Sequence, residues 1–171
     1  GPSLDQVLEE SKGPIEVKAA LQIIWRLAAA LHSVHEAGII HRDIKPGNII
    51  VKEGLWPTIM DFGVAAAASD DTSMVLGTTR YMAPELFEGG EVDARADIYS
   101  LGFIAYEMLI GRPRFNEIFA DVVRDPRSAT VRWMKWHGNA AVTAPAAHEV
   151  NPSVPESLSR IVSRMTAKAR D

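Results

Sequence analysis

The sequence contains no cysteine. That removes disulfides and thiolate metal sites from consideration and suits a reducing compartment. A dense basic run is missing too. Its 18 lysines and arginines face 22 acidic residues, a formal net charge of −4, so nothing marks a nucleic-acid partner. No apolar stretch approaches the roughly 18 residues of a membrane-spanning helix. The opening GPSLDQVLEE lacks the basic-then-apolar order of a secretory leader. Repeats and low-complexity tracts are also missing. The expectation is a globular domain in the cytoplasm, with no nucleic-acid partner and no membrane segment. The 171 residues, 47% apolar and 23% charged, suffice for one such domain with a real core.

Hydrophobic period supplies the elements. Ala20, Ile24, Leu27, Leu31 and Val34 recur at three- and four-residue steps. This predicts an amphipathic helix over 15–36, closed by Gly38. A shorter helix is predicted at 3–10 with Ser3 as cap. Short β-rich pieces follow at 39–40, 49–51 and 58–60, separated by Pro46-Gly47 and Gly54. Residues 61–93 read as a long loop. Residues 94–110, ARADIYSLGFIAYEMLI, are apolar on nearly every face and predict a central buried helix, ended by Gly111 and Pro113. Further helices are predicted at 115–123 and 157–167, while 125–155 shows no clear period. The fold class is α+β, mainly α-helical.

Four motifs then stand in fixed order: His41-Arg42-Asp43 with Lys45 and Asn48, Asp61-Phe62-Gly63, Ala83-Pro84-Glu85, and Asp97 in DIYSLG. Each alone is weak, since such triplets arise by chance. Together, in this register, they resemble the protein kinase family. The wording HRDIKPGN and GTTRYMAPE resembles bacterial, eukaryotic-like serine/threonine kinases. The resemblance covers about 1–168. It implies that 1–171 is a protein-kinase-like C-lobe without the N-lobe. The sequence shows no G-x-G-x-x-G and no VAIK-like strand, the parts that grip nucleotide phosphates in this family.

The resemblance also implies roles. Asp43 would accept the proton of a substrate hydroxyl. Lys45 would steady the transferring γ-phosphate and mark specificity for serine and threonine. Thr78 would hydrogen-bond both. Asn48 and Asp61 would offer hard oxygens to Mg²⁺, and Ile50 and Leu4 would floor the adenine pocket. His41 and Phe62 would belong to a stack linking the lobes, and Asp97 would hold the backbone of the HRD triplet. Arg42 would pair with a phosphate on Thr72 or Ser73. Gly47, where a glutamate in this family reads a basic substrate, implies a weak demand for arginine. The cofactors are ATP and Mg²⁺ in the full-length parent. The partners are a protein substrate and the chain's own N-lobe, or a second copy through the apolar face that the N-lobe would cover.

Plainer readings stand beside these. Asp43 is also a type of residue that caps a turn, and Asp61 one that suits a solvated loop, though four motifs in register weigh against both. Trp133 and Trp136, at i and i+3, read as core. His32, His35, His137 and His148 show no metal spacing. At the level of function, the alternative to an enzyme is a pseudokinase or protein-docking module. The intact Asp43, Lys45, Asn48 and Asp61 favour the enzyme.

Overall fold

The computed structural model describes residues 1–62, 79–89 and 91–168. Ser3 opens the first helix, α1 (Leu4–Glu10), through a capping box: its hydroxyl accepts from Gln6 N, and Gln6 Oε1 accepts from Ser3 N at 2.8 Å. Glu16 does the same for α2 (Val17–Glu36), its carboxylate accepting from Lys18 N and Ala19 N. At the far end of α2, Gly38 adopts φ +74 and Ile39 N reaches back to Val34 O at 3.2 Å. That terminus explains one departure from expectation. Residues 39–40 form no strand, because the Ile39 N–H is spent on closing the helix and its side chain is half-exposed.

Two strands do form. β1 (Ile49–Lys52) and β2 (Trp56–Ile59) pair antiparallel, with Ile49 opposite Ile59. Their inward residues Ile49, Val51 and Ile59 are buried. The chain start joins them, through a bridge from Ser3 to Ile50 and a bond from Val51 N to Pro2 O at 2.9 Å. The expected loop over 61–93 is interrupted within its described part by a 3₁₀ turn at Thr79–Tyr81 and a short helix, α3 (Glu85–Glu88).

The core is organised by α4 (Arg95–Ile110). From Ala96 to Ile110 every residue except Ile98 is buried. It packs against α2, against the turn Thr79–Tyr81, and against α5 (Arg112–Ile118), α8 (Ala147–Val150) and α9 (Glu156–Met165). Gly102 permits a close approach by α9. A Cβ there would lie 2.7 Å from Met165 Cβ of α9.

Two more helices differ from expectation. The single helix foreseen at 115–123 is two, α5 and α6 (Ala120–Val123), divided at Phe119. Phe119 buries its ring among Phe115, Trp133 and Trp136. The unpatterned 125–155 region contains α7 (Pro126–Gly138), capped by Asp125, which accepts from Arg127 N at 3.0 Å. Trp133 and Trp136 pack as core, as foreseen. Lys168 closes α7: its ammonium donates to the carbonyls of Trp136, Asn139 and Val142 and sits 3.6 Å from the centre of the Trp136 ring. No helix among the described residues is long and apolar enough to cross a membrane.

Gly111, between α4 and α5, supplies a test. It adopts φ +83 and ψ 144, a conformation nearly reserved for glycine. A Cβ there would meet Gly13 C at 2.6 Å and Pro14 N at 2.7 Å, both backbone. Gly111→Ala is therefore expected to destabilise the chain by about 2–3 kcal/mol in urea denaturation. Gly38→Ala also has positive φ but meets nothing within 4 Å, and is expected to cost about 1 kcal/mol.

Candidate active site

The HRD turn rests on Asp97. This residue of α4 is 1% exposed, and its carboxylate accepts three bonds: His41 N at 2.9 Å, Arg42 N at 2.8 Å and His35 Nε2 at 2.8 Å. Arg42 sits at φ +67, uncommon for a residue with a Cβ. Two charge-assisted bonds to consecutive amides hold the backbone there.

His41 links this turn to the strand end. A carbonyl can only accept, so the Nε2–H of His41 donates to Met60 O at 2.9 Å, and Nδ1 accepts from Asp43 N at 3.2 Å. Both ring nitrogens are thereby committed. Its ring meets Phe62 edge-on at 4.9 Å. Asp61, between Met60 and Phe62, adopts φ +60 with an exposed carboxylate.

Asp43, Lys45 and Asn48 converge. Asp43 Oδ2 accepts from Lys45 Nζ at 2.8 Å and from Asn48 Nδ2 at 3.0 Å. Asn48 Nδ2 also bonds Asp43 O at 3.0 Å. With its amide hydrogens so used, Asn48 has Oδ1 left as an acceptor, with no bond to it among the described residues. Asp43 Oδ1 is buried and has no hydrogen-bond partner among the described residues. The Asp43 side chain remains 20% exposed. Among the described residues the cluster thus holds a carboxylate with one unpartnered oxygen, an ammonium beside it and an unpartnered amide oxygen.

The other expected site residues divide. Ile50 is half-buried, whereas Leu4 is wholly buried in the core, so of the two only Ile50 keeps surface for a ligand. Arg42 is exposed and makes no ion pair among the described residues. Gly63, Thr72, Ser73 and Thr78 lie outside the described residues.

Sequence reasoning missed a second polar centre, at the other end of α4. Glu107 is fully buried and accepts from Tyr81 OH at 2.6 Å, Arg80 Nη2 at 3.2 Å and Arg112 Nε at 2.8 Å. Arg112 continues to Asp5 at 2.7 Å and Glu9 at 3.1 Å. Burial, and next the charge of Glu107, raise Tyr81 well above the usual phenol range, so it stays a donor. The available signal was a lone glutamate inside an apolar helix. Beside it, His137 is 0% exposed. It donates from Nε2 to Arg80 O at 3.2 Å and accepts at Nδ1 from Tyr99 OH at 2.7 Å. Burial pushes His137 down to about 3.

The family model described as protein kinase domain matches residues 1–170. Among curated proteins, the serine/threonine-protein kinase PknB of Mycolicibacterium smegmatis is 45% identical over 109 residues, 60% of this chain and 17% of that protein. PknB of Mycobacterium tuberculosis is 43% identical over 112 residues, 62% of this chain and 18% of that protein. The serine/threonine-protein kinase PknH of Mycobacterium bovis is 34% identical over 172 residues, 98% of this chain and 27% of that protein. The chain therefore spans only a minor part of the relatives it matches.

Two measurements check the energetics. Asp97→Asn turns an amide NH₂ against backbone N–H groups and is expected to destabilise the chain by about 2–4 kcal/mol in urea denaturation; near wild-type stability would remove Asp97 as the holder of the turn. For His137, the unfolded chain takes up a proton below pH 6.5 while the folded imidazole stays neutral to about 3. Its contribution is thus complete above pH 6.5 and declines as pH falls between these values. By pH 5 the loss is expected to reach about 2 kcal/mol. The difference in stability between pH 7 and 5 should shrink by that amount in His137→Gln.

Proposed function

This chain belongs to the protein kinase family, and on that premise we propose that it serves as the C-lobe of a serine/threonine kinase, transferring the γ-phosphate of ATP to serine or threonine hydroxyls of proteins. Protein kinases use ATP and Mg²⁺. The observation that carries the reading is the Asp43–Lys45–Asn48 cluster on a turn held by Asp97. Phosphoryl transfer asks for positioning and charge stabilisation rather than covalent chemistry from the protein. Asp43 orients the attacking hydroxyl and takes its proton on its carboxylate. Lys45, which neutralises Asp43 in this structure, is placed to share its charge with a phosphoryl oxygen.

Asn48 Oδ1 and the exposed Asp61 carboxylate fit Mg²⁺, which selects hard oxygens and commonly takes one or two protein groups together with substrate phosphates. ATP bound with Mg²⁺ supplies the phosphoryl group and the cation that balances its charge. Ile50 offers the apolar surface for the base. The partly exposed Met60 and Phe62 flanking Asp61 support a further covering element, the N-lobe. With no glycine-rich loop and no strand lysine in the sequence, these 171 residues alone are proposed not to turn over, since misplacement by about 1 Å can already cost on the order of a hundredfold.

The decisive experiment is Asp43→Asn in a kinase joining this chain to its N-lobe. Transfer to protein is expected to fall by about 10²–10⁴-fold with the fold retained; an unchanged rate would remove Asp43 as the base. Steady turnover by the isolated 171-residue chain would instead overturn the assignment of an inactive lobe. The exposed Arg42 is proposed to pair with phosphate on Thr72 or Ser73. Mass spectrometry of the active kinase is expected to find phosphate on one of them, and phosphate solely elsewhere would refute that pairing.

A further inference from the structure

A cavity of about 330 Å³ opens between α1, the turn Thr79–Tyr81 and the α6–α7 pair. Its walls are mostly apolar: the ring of Tyr81 and the side chains of Val123, Pro126, Ala129 and Trp133. The two charged residues at its edge are Asp5 and Arg80. Both are already engaged. Asp5 Oδ1 takes Arg112 Nη2 at 2.7 Å. Arg80 Nη2 is shared by Glu107 at 3.2 Å and Asn116 at 2.8 Å, and its guanidinium lies 4.4 Å from the centre of the Phe115 ring.

Arg112 decides what such a cavity can bind. Its side chain is 11% exposed and reaches Glu107, Asp5 and Glu9 at once. A basic guest seeking the acids beside this cavity would find them taken by the chain's own guanidinium. An acidic guest would meet an Arg80 already paired with Glu107, its Nε–H buried and without a partner among the described residues. What remains is apolar wall, at the small end of the size range of ligand sites and suited to one large side chain.

Position connects the cavity to the chemistry. Glu107, which anchors Arg80 and Tyr81, and Asp97, which holds the catalytic turn, lie ten residues apart on α4. At about 1.5 Å per residue that is roughly 15 Å of rigid helix. An extended polypeptide covers such a distance in about four or five residues. A substrate segment lying from Asp43 toward Tyr81 would bring a side chain to this cavity.

We propose that the cavity receives an uncharged apolar side chain of the protein substrate, about four or five residues from the target hydroxyl, and that Arg112 sets this preference by occupying the acids that would otherwise select a basic residue. The proposal rests on the kinase reading and deepens it.

The test measures binding, which needs no phosphoryl transfer. The 171-residue chain is titrated with twelve-residue alanine-serine peptides carrying one central leucine, phenylalanine, arginine or glutamate, followed through the Trp133 indole N–H signal in NMR. Leucine and phenylalanine peptides are expected to shift that signal and to bind about tenfold tighter than the arginine and glutamate peptides. Ala129→Leu, which fills the cavity, is expected to abolish the difference; Val123→Phe fills it from another wall and should do the same. Arg112→Gln should move the preference toward the arginine peptide by about tenfold, and Arg112→Lys should restore the apolar one.

Equal binding of the four peptides, no binding, or an apolar preference that survives both filled variants would overturn the site. A preference unaltered in Arg112→Gln would overturn the role of Arg112. If peptide selection fails while Asp43→Asn still abolishes transfer in the longer kinase, this inference falls alone. If selection holds while Asp43→Asn changes nothing, the kinase reading falls instead.

Discussion

A buried carboxylate is expensive to place in a protein interior, and this fold puts one, Asp97, where three donors converge on it. Its desolvation is offset by two backbone amides and an imidazole, each at 2.8–2.9 Å. The amides belong to His41 and Arg42, so the same bonds that satisfy the charge also impose the left-handed backbone at Arg42. From that turn follow the commitment of both His41 nitrogens, the stacking of Phe62 and the direction in which Asp43 faces Asn48 and Lys45. The geometry of the candidate site is thus a consequence of how a carboxylate is kept in the core. It does not depend on loop preference.

Helix α4 does this twice. At its other end Glu107 is satisfied by a phenol and two guanidinium groups, and these gather the turn Thr79–Tyr81 and α5 around it. Between the two acids lies a layer of apolar and aromatic side chains with a neutral His137 inside it. The hydrogen bonds of His137 tie α4 and α7 to the backbone of Arg80. A rigid apolar rod with an acid near each end can fix two loops relative to one another, because neither acid can leave its partners without stranding charge in the core.

Much of this was legible, for identifiable reasons. The α4 pattern was unambiguous because nearly every face is apolar, and Ser3 announced α1 by cap chemistry. The HRD turn was visible because its residues are close in sequence. What escaped was long-range or lacked apolar period. The α7 helix carries arginine, lysine and threonine through its register, and its start was written only in Asp125-Pro126. Pro113 reads as a stop for the preceding helix, yet it also sits in the first turn of α5. The break at Phe119 depends on an aromatic cluster assembled from separate helices. Leu4 lies inside the core because β1 closes over it, which no local pattern foretells. The Glu107 network joins residues from α1, the turn at 79–81 and α5, and only the folded chain brings them together.

The tie from Arg112 to Asp5 spans 107 positions of sequence. Contacts so distant weigh on the kinetics of folding, since a long loop must close before any reward is collected. On a chain emerging N-terminus first, α1 is made well before Arg112, so its salt-linked seat does not exist until Arg112 has followed. Helix α1 thereby waits for an anchor that is made long after it.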